Sequence, residues 1–348
     1  MKTTTQGPEG HLPAPTSHRT GTRDGAARPG YAPEPRRPRV DGSLRRRRRL
    51  DKLTVALFLA PAMALFLVLV VGPIVLAMYT SLFKWNGFGG LPEDFVGLDN
   101  FRRLLEDEVF IGDLRRGLIL VLLSVFVQLP VALGLALLLN QPMRGRAFYR
   151  LVFFAPYVLS EVITAVLFTM VFSPNQGLVN QLMSAIGLEG QQQEWLANPS
   201  TVLYALFFVV SWKYFGLHMI LYLAGRQSIP KELTEAAVTD GAGSWQVFRH
   251  VTLPLLGPTI RISIFLSIIG AIQLFDMVWV LTGGGPIHAS ETMAVTMFQY
   301  GFRRSEVGYA SAISVAMFLI SLVFALLYQR FVMRRDIEGA ITTMREKR

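Results

Sequence analysis

Apolar residues in this chain gather into long uninterrupted blocks. Six stand out: Thr54–Tyr79, Gly117–Leu139, Leu151–Phe172, Thr201–Ala224, Ile260–Leu281 and Tyr309–Gln329. Each exceeds the ~20 residues that a helix needs to cross a hydrocarbon core of ~30 Å. The pattern predicts an all-α integral membrane protein with six transmembrane helices. Pro61, Pro73, Pro130 and Pro156 lie inside the blocks. In lipid, neighbouring helices and local adjustments can satisfy the carbonyls that these prolines release. The first block outruns the ~7–15-residue apolar core of a signal peptide and reads as a retained span.

The polar segments between the blocks set the expected orientation. Only 17% of residues are charged, yet the net charge is +10, and the position of that charge matters more than its size. Basic residues crowd the N-terminal tail with its run Arg45–Arg49, the links holding Arg144, Arg146 and Arg150 and then Arg226, Lys231 and Arg249, and the C-terminal Arg334, Arg335, Arg345, Lys347 and Arg348. These alternate segments are expected inside the cell, with both termini cytoplasmic. Ser173–Ser200 has no Lys or Arg, whereas Phe83–Arg116 carries five and departs from the rule. The expected organisation is a disordered basic tail over residues 1–49, a transmembrane domain over 50–331 and a cytoplasmic tail over 332–348. Arg45–Arg49 beside a span reads as an orientation signal attracting anionic membrane lipids, and no nucleic-acid partner is expected. Asp99 or Asn100 is expected to cap a short helix carrying Phe101, Leu104 and Leu105, lying on the membrane surface.

Candidate chemistry is sparse. The chain has no cysteine and five scattered histidines, which removes thiolate catalysis, disulfides and zinc–thiolate sites. No phosphate-binding glycine loop and no nucleophile–base arrangement occurs. An enzyme is not expected, nor a metal or bound cofactor. Ionisable residues within membrane spans are costly and mark function by default. Glu161, Lys213 and Asp276 are such residues, with Gln128, Gln273 and His218 as uncharged companions. Glu161 and Lys213 lie at similar depth, ~16–18 Å from their span ends, so an ion pair is expected, serving either transport or a helix-to-helix clamp. Gln273 and Asp276 at i, i+3 spacing share a helix face. With Trp279 they can line a sugar path or bond between helices.

The loop over residues 225–258 is the most informative segment. Pro230 suits the first turn of a helix, Glu232 complements its dipole, and Leu233, Ala236 and Ala237 give it a small apolar face. Asp240-Gly241 signals its end. Ser244 can cap a second helix through about His250, which Leu253-Pro254 then breaks. Such a hairpin can dock on a partner or simply connect two spans.

Glu235-Ala236-Ala237, Asp240-Gly241-Ala242, Phe248 and Leu253-Pro254 resemble the EAA loop of ATP-binding-cassette importer permeases. The resemblance extends over about Leu50 to Phe331 to the sugar-permease branch of maltose, lactose and glycerol-phosphate type, through Phe95–Asn100, Trp212–Gly216 and Thr282–Pro286. It implies a six-helix MetI-like permease bundle in the cell membrane, whose EAA loop docks on the ATPase. Glu235, Ala236, Ala237 and Gly241 would then make the contact. It also implies three partners: a second permease of the same fold, ATPase subunits that bind the ATP, and an external solute-binding protein. A self-contained secondary transporter is the alternative and would need internal repeats and ion-coupling groups.

Overall fold

The computed structural model describes residues 41–188, 190 and 193–333, with side chains from residue 54. Of the tails expected over 1–49 and 332–348, residues 1–40 and 334–348 lie outside it. Contacts divide the chain into Met1–Ala62 and Met63–Arg348. The described part of the first unit is helical from Asp41, so the backbone of Arg45–Arg49 is helix rather than the expected unstructured tail.

Among the described residues, four helices are long and apolar enough to cross a membrane: Thr54–Thr80, Glu108–Asn140, Val202–Gln227 and Val307–Met333. Two further helix pairs are long enough only together and are bent, Arg146–Val158 with Glu161–Val171 at 100° and Ser244–Leu255 with Gly257–Ile272 at 64°. Counting each bent pair as one broken crossing makes six spans in chain order, the fifth being Gly257–Ile272 with Ser244–Leu255 leading into it from the preceding loop.

Three boundaries depart from the apolar blocks. Span two starts at Glu108 rather than Gly117, because Asp107 caps it by accepting the Val109 N–H at 2.9 Å. Asp113 and Arg116 in these first turns face protein while Glu108 and Arg115 are exposed, and four charged residues together lower the hydropathy of the segment. Span three is not one helix but breaks at Leu159 and Ser160, both extended at ψ near 146°. Span five stops at Ile272, and Asp276–Leu281 is a separate short helix packed on the second half of span three.

Prolines shape the remaining helices in one repeated way. Wide turns occupy Leu67–Val71, Ser124–Gln128 and Phe248–Thr252, and each ends two residues before a proline: Pro73, Pro130 and Pro254. In each, the residue preceding the proline donates its N–H five residues back. Widening the ladder relieves the clash of the proline ring with the carbonyl four residues earlier and keeps the chain helical.

Packing has the polarity expected in lipid. Between spans two and four the buried residues include Ala132 and Ala136 against Met219, Tyr222 and Leu223. Large apolar side chains such as Phe126, 71% exposed, point away from the protein. Small residues at helix contacts let backbones approach, while lipid covers the large ones. A second cluster joins Phe110, Ile272, Met293, Tyr309 and Ile313.

Between spans one and two, Phe83–Lys84 and Asp94–Phe95 pair antiparallel, Phe83 opposite Phe95. The short helix Asp99–Glu106 follows. Asn100 does not cap it. Its amide is buried and donates to the carbonyls of Ser81 at 2.8 Å and Phe83 at 3.0 Å. Leu104 is buried and Leu105 exposed, and the helix packs on span six.

Asp107 ties these elements together, accepting the hydroxyls of Tyr309 at 2.7 Å and Tyr300 at 3.3 Å as well as capping span two. Burial alone would push its carboxyl up. The hydrogen bonds from Tyr309 and the helix amides outweigh burial and hold it below the ordinary range. A depressed carboxyl stabilises the folded state above its unfolded pKa of ~4, and that contribution is lost as pH falls through the lower folded value. Asp107→Ala should cost roughly 2–4 kcal/mol at neutral pH, read as a lowered melting temperature of the detergent-solubilised protein. The deficit should shrink at pH 3; an equal deficit at both pH values would refute the role given to the ionised carboxylate.

Candidate functional site

The loop between spans four and five carries the first candidate. Helix Lys231–Thr239 begins after Pro230, which sits outside it in extended conformation, and Glu232 lies in its first turn. Its end is a left-handed closure. Gly241, at φ +86°, donates to Val238, and Ala242 donates back to Ala237, both at 3.0 Å. Glycine takes this conformation without the penalty a Cβ would add. The following helix is capped by Gly243 rather than Ser244, and the Gln246 side chain accepts the Gly243 N–H at 2.8 Å. Leu253-Pro254 does not break it, because the wide turn before Pro254 absorbs the proline; the bend comes at Leu256.

Glu235 and Ala236 are exposed and Ala237 is half-buried. Leu233, Val238 and Trp245 are exposed beside them, Trp245 at 67%, with its ring against Phe248 at 5.3 Å. A groove of about 330 Å³ runs between the two helices, lined by Ala237, Asp240, Gly241, Ala242, Gln246 and His250. Apolar side chains grouped on a polar loop mark a protein-contact surface.

The second candidate lies within the spans and is built around the break in span three. A broken helix leaves carbonyls unpaired at one end and amides at the other. Lys213 of span four is only 4% exposed, and its ammonium donates to the carbonyls of Tyr157, at 3.3 Å, and Leu159. It therefore sits at the negative end of the first half-helix, flanked by the rings of Tyr214 at 5.4 Å and Tyr157 at 6.0 Å. Glu161 occupies the first turn of the second half-helix, at its positive end, and accepts the hydroxyl of Tyr214. The expected Glu161–Lys213 ion pair does not form; each charge serves a helix end instead. Close approach of the spans depends on Gly216, where a Cβ would stand 2.2 Å from the Phe153 carbonyl oxygen.

A cavity of about 330 Å³ opens beside this break. Glu161, Gln273 and Asp276 all line it, joined by Gln128, Tyr214 and His218. Gln273 and Asp276 meet there for a different reason than helical spacing. Gln273 ends one helix and Asp276 starts the next, and the irregular residues between them turn both toward the cavity. Lys213 and Trp279 are not on the lining. Trp279 stacks on Phe275, meets Phe298 edge-on and is covered by the Arg303 guanidinium at 4.7 Å.

Ser124 and Ser267 also line the cavity and carry no mark in the sequence beyond being small and polar inside apolar helices. A third cluster was hidden by the late start expected for span two. Thr296 joins Asp113 at 2.6 Å and Glu291 at 3.0 Å, and Arg116 binds Asp113 at 2.6 Å and the Glu291 carbonyl at 2.9 Å. Extending the helical pattern back to Glu108 would have brought Asp113 and Arg116 into view.

The family model described as the binding-protein-dependent transport system inner membrane component matches residues 128–337. The chain is 37% identical to the probable ABC transporter permease protein YurN of Bacillus subtilis, over 81% of this chain and 96% of that one. It is 34% identical to the sulfoquinovosyl glycerol transport system permease protein SmoG of Agrobacterium fabrum, over 82% and 92%. It also superposes with a TM-score of 0.71 and 26% identity on a chain from the crystal structure of a bacterial alginate ABC transporter in complex with an alginate pentasaccharide-bound periplasmic protein, covering 82% of this chain and 96% of that chain.

The break generates a direct expectation. Lys213→Met would leave the Tyr157 and Leu159 carbonyls without the ammonium donor at the break and should destabilise the protein by about 2–3 kcal/mol, seen as earlier thermal unfolding in detergent. Lys213→Arg should recover part of the loss. Equal stability of Lys213→Met and the unaltered protein would show that the ammonium does not hold the break.

Proposed function

The chain belongs to the family of binding-protein-dependent transport system inner membrane components, and from that membership we propose how its two candidate sites divide the work. It is a membrane-embedded permease of an ATP-binding-cassette importer, not an enzyme. In this reading its cargo is a sugar or related carbohydrate. An external solute-binding protein delivers the cargo, a second permease of the same fold completes the pathway, and ATPase subunits bind the ATP. The permease domain runs over 50–331, and the loop over 225–258 faces the cytoplasm, as do both termini.

One observation supports the reading above the others. The exposed helix Lys231–Thr239 packs against helix Ser244–Leu255, which meets span five at a single bend, and Ser267 and Gln273 at the other end of span five line the cavity. A displacement of the loop is thus delivered through a short chain of helices to polar groups in the spans. Glu235, Ala236, Ala237 and the turn at Asp240, Gly241 and Ala242 would meet the ATPase, with Phe248, Leu253 and Pro254 setting the shape of the support. Closure of the ATPases on ATP would then shift the permease between inward-open and outward-open states. Glu161, Gln273 and Asp276 would contact the cargo. Gln273 and Asp276 are exposed on this chain alone, which suits a wall that a second permease covers.

Glu235→Lys tests the coupling role. Reversing a charge at a docking site should weaken ATPase retention about 100-fold, equivalent to about 3 kcal/mol. Co-purification on a tagged permease and carbohydrate uptake should both fall while the amount of permease in the membrane stays constant. Undiminished ATPase binding and uptake would reject the assignment, as would uptake by vesicles containing this chain alone.

A further inference from the structure

The cavity within the spans is unevenly charged. Glu161 and Asp276 both line it, and among the described residues no lysine or arginine does. Lys213, close by in span four, is committed to the carbonyls of Tyr157 and Leu159. Glu161 accepts the Tyr214 hydroxyl, a bond suited to a carboxylate. A separate observation marks the cavity as a place where a polar group binds. His218 is 3% exposed and on the lining, and its Nδ1 has no hydrogen-bond partner among the described residues. A buried ring nitrogen without a partner is costly, and a hydroxyl entering the cavity would satisfy it.

Within the membrane the effective dielectric is low and charge repulsion is strong. Resting on the reading that this cavity forms part of the solute path, we propose that its lining selects cargo by charge: it admits uncharged and amino carbohydrates and repels uronates and sulfonated sugars. Glu161 and Asp276 are the specificity-determining residues. His218 offers a hydrogen-bonding position to a sugar hydroxyl, so the cavity binds polar neutral groups while its two carboxylates exclude anions.

The absence of cysteine from the chain permits a direct test in the complete importer, with its other subunits freed of reactive thiols. Ser267→Cys changes one atom on the lining, and Gly270→Cys places a thiol at a second lining position where an added Cβ meets nothing within 4 Å. Each thiol is titrated with the cationic trimethylammonium and the anionic sulfonate forms of an ethyl methanethiosulfonate reagent. The expected result is a cation-over-anion rate ratio about tenfold or more above that of a free thiol in solution. Combined Glu161→Gln and Asp276→Asn should return the ratio to the free-thiol value. A reactive thiol with no excess preference, or a preference that survives neutralisation of both carboxylates, overturns the charge selection and leaves the path intact. Thiols at both positions that react with neither reagent, in the resting and in the vanadate-trapped importer, overturn the path reading and this inference with it.

Discussion

Lipid offers no hydrogen bonds, so a helix that breaks within a membrane needs its loose ends satisfied by protein. Span three breaks by 100°, and two neighbouring residues of span four answer the break. Lys213 covers the carbonyls at the end of the first half, and Tyr214 holds Glu161 at the start of the second. Much of the interior depends on this arrangement. The break lets the second half of span three pack on the short helix Asp276–Leu281, and it sets Glu161 on the cavity wall.

The same demand explains the prolines. Pro73, Pro130 and Pro254 each follow a turn widened to a five-residue hydrogen bond. The helix bends around the missing donor without exposing its backbone. At Pro254 the helix leaving the loop over 225–258 remains continuous up to the bend before span five, a continuity that the proposed coupling would need.

The two candidate sites differ in what makes them suited to their roles. The loop proposed to dock is exposed, with a glycine-closed helix and apolar side chains at its edge, features that suit a contact with another protein. The cavity is partly enclosed, with a few polar groups, Glu161 and Asp276 among them, set in a largely apolar lining. Span five runs from the bend beside the loop to the cavity, where Ser267 is on the lining, so in the proposed function it would link the two sites.

Composition and block length alone determined that this chain lives in a membrane, since nothing else keeps so many apolar residues together. The first helix of the loop over 225–258 and its closure at Gly241 were equally legible, because the glycine and the acidic first turn act over a few neighbouring residues. Tertiary structure decided what distance along the chain hides. Hydropathy sees Leu151–Phe172 as one block, whereas its break is stabilised by a lysine in another span. Gln273 and Asp276 reach one cavity through an irregular turn rather than a shared helix face, and Trp279, close in sequence, is drawn away by Phe275 and Arg303. Local propensities are written in neighbouring residues. The pairing of buried charges with helix ends depends on which spans meet, and only the folded chain brings them together.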